Sequence, residues 1–352
     1  MSEPIKLAIL DDYAGIALPH FQPLTTFSKI EIHTFPETLN ARIPSDHDAL
    51  VARLKPFTII SSMRERTQFP RSLLSQLPHL KVLLTTGNRN AAIDVAACKD
   101  QAITVVGTGP KPNAVKGYDA TNEVAWSLIL GLAKDLATGD HLLKTRPDVW
   151  QTTLASSLAG KTLGLLGLGR LGTQCAVTGI LGFGMRVLAW SSSLTQEKAD
   201  VAAASRGLPA GSFQVTSSKA ELFAQADVLS VHYVLSDRSR GIVGAPDLAG
   251  MKPSAFLVNT SRGPLIDEAA LLSALETGAI RGVGLDVFDT EPLPAESPWR
   301  RDGYWGVEGR GRVLLSPHMG YAEDETMHAW YEQQVEAVRA WLDGREIPGV
   351  IR

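Results

Sequence analysis

The run with the clearest chemical meaning is Gly167-Leu168-Gly169-Arg170-Leu171-Gly172. It follows an apolar, strand-like run, Thr162–Leu166, and precedes a helical pattern, a context that makes the GxGxxG spacing specific. In such a turn the first glycine permits a tight bend, the second lets the backbone approach a pyrophosphate, and the third lets helix and strand pack closely. The helix N-terminus offers unpaired N–H groups, and Arg170 can add a charge-assisted contact. The run predicts a dinucleotide-binding site.

The choice between NAD and NADP depends on the end of the next predicted strand, 185–190. An acidic residue usually stands there and grips the adenosine ribose. This chain has Ser191-Ser192-Ser193 instead, and the missing carboxylate removes repulsion against a 2′-phosphate. No arginine stands beside the serines, and Lys198 is the nearest cation in the sequence. NAD and NADP therefore both remain open, with a slight preference for NADP(H).

Three further segments with polar side chains follow predicted strands. They are Asn259-Thr260-Ser261-Arg262-Gly263, Gly284-Leu285-Asp286-Val287-Phe288 with Glu291 shortly after it, and Ser316-Pro317-His318-Met319-Gly320. In an open parallel sheet, the carboxyl ends of the strands line the crevice where ligands bind. We therefore expect all three segments to project toward a cofactor bound at the glycine run.

Two series of short apolar runs alternate with helical patterns and supply the strands that position these segments. The first series is 5–10, 30–34, 57–61, 80–84 and 103–106, and the second is 162–166, 185–190, 228–231, 255–259, 282–285 and 313–315. Apolar runs separated by helical segments indicate parallel strands that are covered on both faces. The fold class predicted is α/β, with two doubly wound parallel-sheet domains.

A stretch rich in helix breakers, 106–112, marks the seam between the two domains. Apolar residues at helical spacing predict one long helix over 123–143 and another over 324–342. If the chain returns after the second series of strands, the last helix packs on the first domain. The Gly- and Arg-rich segment 299–312 is loop-like and looks inserted.

Together these motifs resemble the D-isomer-specific 2-hydroxyacid dehydrogenases, which include glyoxylate/hydroxypyruvate reductases, phosphoglycerate dehydrogenases and formate dehydrogenases. The resemblance covers nearly the whole chain, including Thr86-Gly87-Asn88. It implies a Rossmann nucleotide domain, 118–317, inserted in a flavodoxin-like substrate domain made of 1–117 and 318–352. It also implies hydride transfer between NAD(P)(H) and a small 2-oxo or 2-hydroxy acid of D configuration, and a homodimer formed through the nucleotide domain and the helix 123–143.

The resemblance also assigns catalytic roles. Arg262 would bind the substrate carboxylate and the C2 oxygen, a task that suits a planar and permanently charged guanidinium. His318 would be the acid during reduction and the base during oxidation, since histidines titrate near neutrality. Glu291 would hold the His318 ring and favour the imidazolium. Each motif alone is weak, but their order at strand ends beside a glycine turn makes the set specific.

Further contacts are implied by the same resemblance. The cofactor contacts are Gly167, Gly169, Arg170, Leu171, Gly172, Ser191, Thr260, Asp286 and Gly320. Among these, Asp286 would contact the nicotinamide carboxamide, and Thr260 would contact the cofactor through its backbone. The backbone amides of Gly87 and Asn88 would receive the substrate carboxylate, with Arg64 at the rim of the pocket. The chain departs from the family in the missing ribose acid and in the loop between Glu291 and His318, which could reshape the entrance.

Composition narrows the remaining possibilities. The formal net charge of −3 comes without a basic block, so we expect neither a nucleic-acid nor an anionic-membrane partner. Cys98 and Cys175 stand apart from any CxxC or Cys/His cluster, which suits a reducing compartment, and no metal site is predicted. No apolar run is long enough to span a bilayer, and the run 5–10 is too short for a signal peptide. The predicted location is the cytoplasm.

Two other functions use the same fold. An NAD(H)-sensing scaffold, similar to a corepressor, would bind the cofactor without needing Arg262, Glu291 and His318 as a set. Their presence, and the absence of basic or low-complexity tails, argues against this function. Formate oxidation would need a small desolvated pocket with an amide side chain, for which the sequence offers no placed candidate.

Overall fold

The computed structural model describes residues 4–41, 43–88, 90–111, 115 and 118–351. The chain forms two compact units, unit 1 (Met1–Ala114 with Glu323–Arg352) and unit 2 (Val115–Ala322). These limits differ by a few residues from the expected 117/118 and 317/318. The expected boundary at residue 117 and the end of the expected seam at Pro112 lie outside the described residues.

Unit 1 contains a parallel sheet in the order β2-β1-β3-β4-β5. Its strands are β1 (Ile5–Leu10), β2 (Ile30–Phe35), β3 (Ile59–Ser62), β4 (Val82–Thr85) and β5 (Thr104–Val106). Its helices are α1 (Ala17–Phe21), α2 (Leu24–Phe27), α3 (Pro44–Leu54), α4 (Arg71–Leu74), α5 (Val95–Asp100) and α13 (Asp324–Leu342). This strand order is flavodoxin-like. The last helix packs on unit 1 as expected, with the ring of Tyr331 edge-on to Phe21 of α1.

Unit 2 contains a parallel sheet in the order β12-β11-β10-β9-β6-β7-β8. Its strands are β6 (Thr162–Leu166), β7 (Arg186–Trp190), β8 (Phe213–Val215), β9 (Val228–Val231), β10 (Phe256–Asn259), β11 (Gly282–Leu285) and β12 (Arg312–Leu315). Its helices are α6 (Ala120–Lys134), α7 (Leu136–Thr145), α8 (Arg170–Phe183), α9 (Gln196–Ala204), α10 (Lys219–Gln225), α11 (Ala245–Ala249) and α12 (Glu268–Glu276), with short 3₁₀ turns at Gly263–Leu265 and Pro298–Arg300. β7 and β8 follow on one side of β6 and β9 to β12 on the other, so the direction in which successive strands are added reverses at β6, as in a Rossmann fold.

The prediction of two doubly wound parallel-sheet domains is confirmed. Burial explains why the apolar runs became strands, because every residue of β6, β9, β10 and β11 is buried. A strand covered on both faces needs such an unbroken apolar run. Side-chain caps then fix where helices begin: Asp119, for example, accepts the Thr121 N–H at the start of α6.

Two predicted elements differ from the structure. The expected single helix 123–143 is divided at Asp135, whose φ of 55° ends α6 and precedes α7. Strand β8 lies at the edge of the sheet and was not predicted, since only Phe213 of its three residues is buried. Within the described part of the chain, no helix has the length and apolar character needed to cross a membrane.

Candidate active site

The glycine turn between β6 and α8 has the close contacts that its sequence predicts. Gly167 has a φ of 100°, and a Cβ there would lie 2.6 Å from the carbonyl oxygen of His232. A Cβ on Gly172 would lie 2.2 Å from the Gly167 oxygen, so the third glycine permits close packing of helix and strand. Gly169 precedes α8, and apart from Gly169 itself and its two chain neighbours, no described residue has a heavy atom within 4 Å of a Cβ built there. The turn therefore has an open cradle beside the helix N-terminus, which fits a pyrophosphate.

The two residues after the second glycine form the first turn of α8. Leu171 is partly buried. The guanidinium of Arg170 is paired with the carboxylate of Asp119, which also caps α6. This ion pair was not anticipated, and a contact from Arg170 to a phosphate would have to compete with it.

The end of β7 carries the three serines in place of an acid. Ser191 is partly exposed, and the backbone N–H of Ser192 donates to the hydroxyl of Tyr233. The Ser192 hydroxyl lies 3.0 Å from the same Tyr233 oxygen. The ammonium of Lys198 reaches the carbonyl of Ser193 at 2.7 Å. A hydroxyl-rich surface with one cation thus replaces the usual carboxylate.

His318 and Glu291 form a hydrogen-bonded pair. The His318 Nδ1 lies 2.5 Å from Glu291 Oε2, and the other Glu291 oxygen accepts the backbone N–H of Phe288 at 2.8 Å. The His318 side chain is 19% exposed. Because Nδ1 is engaged with the carboxylate, Nε2 is the ring nitrogen that remains for a substrate. The pair has the arrangement of a general acid–base group oriented by a carboxylate.

Asp286 is completely buried beneath the His318 segment. One of its oxygens accepts the Met319 N–H at 2.7 Å, and the other accepts the Gly320 N–H at 3.0 Å. Burial raises the pKa of Asp286, while the Ser316 hydroxyl, these two amides and nearby His318 oppose that shift. The carboxylate therefore clamps the segment in which His318 adopts a φ of 57°, uncommon for a residue other than glycine.

Arg262 follows β10 with extended backbone. Its guanidinium donates to the carbonyl of Ser261 at 2.7 Å, and its own carbonyl accepts from the Asn259 side chain at 2.9 Å. Thr260 beside it is buried, and its hydroxyl has no hydrogen-bond partner among the described residues. The backbone of this segment is thus fixed by its own side chains.

The sheet of unit 2 brings these groups to one edge. β10, β11 and β12 are parallel neighbours, and β9 lies between β10 and β6. Their carboxyl ends therefore face the same side of the molecule. With strands about 4.8 Å apart, the glycine turn and the His318 segment each begin about 10 Å along the edge from the strand that carries Arg262.

Comparison with known proteins identifies the family. Residues 126–320, more than half of the chain, match the model of the D-isomer specific 2-hydroxyacid dehydrogenase, NAD binding domain. The chain is also similar to a glyoxylate reductase from Aeropyrum pernix, at 32% identity over 79% of this chain and 78% of that protein. The chain belongs to the D-isomer-specific 2-hydroxyacid dehydrogenase family.

Other relatives of this D-2-hydroxyacid dehydrogenase carry different substrate names. A D-3-phosphoglycerate dehydrogenase from Mycobacterium leprae is 31% identical over 82% of this chain, which spans only 50% of that longer protein. A solved structure, described as phosphoglycerate oxidoreductase from Vibrio cholerae o395, has a TM-score of 0.80 and 34% identity, covering 97% of this chain and 99% of that one. At the level of the family, the chain is an NAD-dependent oxidoreductase of 2-hydroxy acids.

Two residues of this dehydrogenase that were expected to contact the cofactor, Asp286 and Gly320, are hydrogen-bonded to each other. Asp286 accepts the Gly320 amide, and the Gly320 carbonyl accepts the Thr121 hydroxyl at 2.8 Å. Asp286 is fully buried and each of its oxygens already accepts one backbone amide, so a carboxamide contact by this side chain would have to share those oxygens. The geometry favours a role for Asp286 in holding the His318 segment.

The expected substrate residues Arg64, Gly87 and Asn88 belong to unit 1, where Arg64 follows β3 and the other two follow β4. Asn88 is exposed. The Gly87 N–H donates to the Thr108 hydroxyl at 2.6 Å, so this amide is not available to a substrate carboxylate without loss of that bond. A Cβ at Gly87 would lie 2.1 Å from an Arg64 guanidinium nitrogen, so Gly87 instead makes room for Arg64. The role of the Gly87 amide toward a substrate carboxylate stays a prediction, and it would have to compete with the bond to Thr108.

The inserted loop of the dehydrogenase is anchored to the segment that carries Glu291. Trp299 is buried in the core of unit 2. Arg300 donates to the carbonyls of Leu293 and Pro294, each at 2.9 Å. The loop is therefore tied at its beginning to the backbone just after Glu291.

Sequence reasoning missed two contacts of the nucleotide turn and its surroundings. Tyr233 lies two residues past β9 and so stands at the carboxyl edge of the sheet. Because ligands bind at the carboxyl ends of parallel strands, its position in the sequence could have identified it as a site residue. Asp119 is recognisable as a helix cap, but nothing in the sequence indicates its pairing with Arg170.

Proposed function

We propose that this protein reduces small 2-oxo acids such as glyoxylate or hydroxypyruvate to D-2-hydroxy acids. The observation that carries the proposal is the His318–Glu291 pair, placed at the same sheet edge as Arg262 and the glycine turn. Bound NAD(P)H supplies the hydride that C2 of the substrate receives. The chain's own residues bind the carboxylate, deliver the proton and hold the cofactor.

In this proposal each side chain has one task. Arg262 binds the substrate carboxylate and the C2 oxygen, because its fork can donate two parallel hydrogen bonds. His318 donates the Nε2 proton to the C2 oxygen as hydride arrives, and takes it back in the oxidation direction. Glu291, accepting from Nδ1, stabilises the imidazolium and fixes the ring. Arg64 is proposed as a further contact to the substrate.

We further propose that NADPH serves at least as well as NADH. Support comes from Ser191, Ser192 and Ser193 at the end of β7, which put no negative charge against a 2′-phosphate, and from Lys198 bonded to Ser193. Substitution Ser191→Asp restores a carboxylate at this point. The expected result is a fall in kcat/KM for NADPH with little change for NADH; equal effects on both cofactors would contradict the proposal.

A panel of 2-oxo acids assayed with NADH and NADPH at neutral pH tests the function as a whole. We expect cofactor oxidation with at least one small 2-oxo acid. If neither cofactor is oxidised across the panel although both bind, the NAD(H)-sensing scaffold becomes the better explanation. Formate with NAD⁺ completes the panel, and turnover there would favour formate oxidation.

We also propose a homodimer that pairs through α7 and the segment after it. Every residue of α7 lies outside the core, and the side chains of Leu136 and Leu143 are exposed. Trp150 and Leu154 are 79% and 87% exposed. Several large apolar side chains exposed within one stretch of the chain are typical of an interaction surface.

Light scattering after gel filtration checks this proposal. The wild-type protein is expected at twice the chain mass, and the double substitution Trp150→Glu with Leu154→Glu is expected to give monomers. Leu181→Glu, which changes an exposed leucine on α8, serves as the matched control and should leave the dimer intact. A monomeric wild-type protein would contradict the proposal.

A further inference from the structure

Arg64 has an unusual backbone conformation. Its φ is 47°, in the left-handed region that residues other than glycine rarely adopt. Such a conformation persists only where the surroundings hold it, and residues in this conformation cluster at binding and catalytic sites. The groups that hold Arg64 therefore determine where its guanidinium lies.

Two side chains clamp the Arg64 backbone from opposite sides. The Arg64 N–H donates to the Thr86 hydroxyl at 2.9 Å. The Asn90 side-chain amide donates to the Arg64 carbonyl at 2.6 Å and to the Thr85 hydroxyl at 2.9 Å. The Asn90 oxygen accepts the Ala92 N–H at 2.9 Å. Asn90 is thus fixed to the carboxyl end of β4, and it holds the Arg64 carbonyl at a defined position relative to that strand.

The Arg64 side chain is confined as well. It passes over Gly87, where any Cβ would collide with the guanidinium. Its guanidinium carbon lies 6.0 Å from the ring centre of Trp330, whose indole N–H donates to the Gly109 carbonyl at 3.0 Å. The side chain is 18% exposed. A charged group held this closely is suited to contact one part of a substrate with little loss of conformational freedom.

We propose that Asn90 is a positioning residue for substrate binding, acting through the backbone of Arg64. The inference rests on the proposed function, in which Arg64 contacts the anionic 2-oxo acid. Asn90 itself does not touch substrate or cofactor. Removing its donor releases the Arg64 carbonyl, allows the backbone to leave the left-handed region, and moves the guanidinium away from its binding position.

The test compares Asn90→Asp with Arg64→Gln. Aspartate keeps the shape and the acceptor for Ala92 but replaces the donor that faces the Arg64 carbonyl. We expect Asn90→Asp to raise KM for the 2-oxo acid by about tenfold, with kcat within about twofold and NADH binding unchanged. Combined with Arg64→Gln, it should add little to the effect of that substitution, because both changes act through one guanidinium.

The outcomes separate the inference from the function on which it rests. If Arg64→Gln raises KM but Asn90→Asp does not, or if the two effects simply add, the positioning role is refuted and the proposed function stands. If Arg64→Gln leaves KM unchanged, the substrate role of Arg64 itself is wrong.

A second pair of variants covers the case in which Asn90→Asp does not fold. Thr86→Val removes the acceptor for the Arg64 N–H, whereas Thr86→Ser keeps it. We expect the KM increase with valine and a near-normal KM with serine. Equal KM values for the two would refute the clamp.

Discussion

The substitution His318→Asn is expected to lower kcat for 2-oxo acid reduction by about 10²- to 10⁴-fold, the usual contribution of a general acid. Asparagine is chosen because it tolerates the left-handed backbone of position 318 better than alanine does. Binding of NADH should persist, since the glycine turn is untouched. Steady-state kinetics and a fluorescence titration with NADH measure the two effects separately.

Two further variants test whether the fall in kcat of His318→Asn results from the loss of proton transfer. His79→Asn, at an exposed histidine of unit 1, should leave turnover unchanged. Glu291→Gln keeps an acceptor for the Phe288 N–H but offers an N–H to His318 Nδ1, which disfavours the imidazolium. Its kcat should fall, though less than that of His318→Asn. Near-normal turnover in His318→Asn would exclude His318 as the acid.

The substitution Arg262→Gln is expected to reduce kcat/KM by roughly 100-fold or more. Hydrogen bonds to charged groups contribute about 1.5 to 3 kcal/mol each, and a bidentate carboxylate contact comprises two of them. Arg262→Lys should recover only part of the loss, since an ammonium cannot form the paired contact. Initial rates over a range of 2-oxo acid concentrations, at saturating cofactor, measure both variants.

Arg186→Gln is the matched control for Arg262. Arg186 stands at the amino end of β7 in the same sheet, on the opposite edge from the proposed site, and its guanidinium donates to the Thr162 hydroxyl. This variant should keep wild-type kcat/KM. If Arg262→Gln and Arg186→Gln behave alike, the assignment of Arg262 to the substrate is incorrect.

The strands that carry chemistry were predictable because burial on both faces demands unbroken apolar runs. Thr162–Leu166, Val228–Val231 and Gly282–Leu285 have the predicted bounds. Edge strand β8 escaped prediction because it needs only one buried side chain, Phe213. The division of the long helix at Asp135 was not predicted either. The helical spacing of apolar residues continues across position 135, so the pattern does not reveal a single residue in the left-handed conformation.

The site was predictable to the extent that it depends on chain order and strand ends. The hydrogen bond between His318 and Glu291 joins residues that the sequence analysis had paired. Side-chain direction was not predictable: the sequence places Asp286 after a strand but does not show that its carboxylate turns toward the amides of Met319 and Gly320. The same holds for the Gly87 amide, which is bonded to Thr108.

The division of the chain has a consequence for substitutions in unit 1. The nucleotide turn, Arg262, Glu291 and His318 all come from one uninterrupted stretch of 208 residues, Val115–Ala322, whereas Arg64 and its clamp come from the unit made of both chain ends. Under the proposed function, substitutions at Arg64 or its neighbours would change which acid is accepted and leave the residues proposed for hydride and proton transfer unchanged.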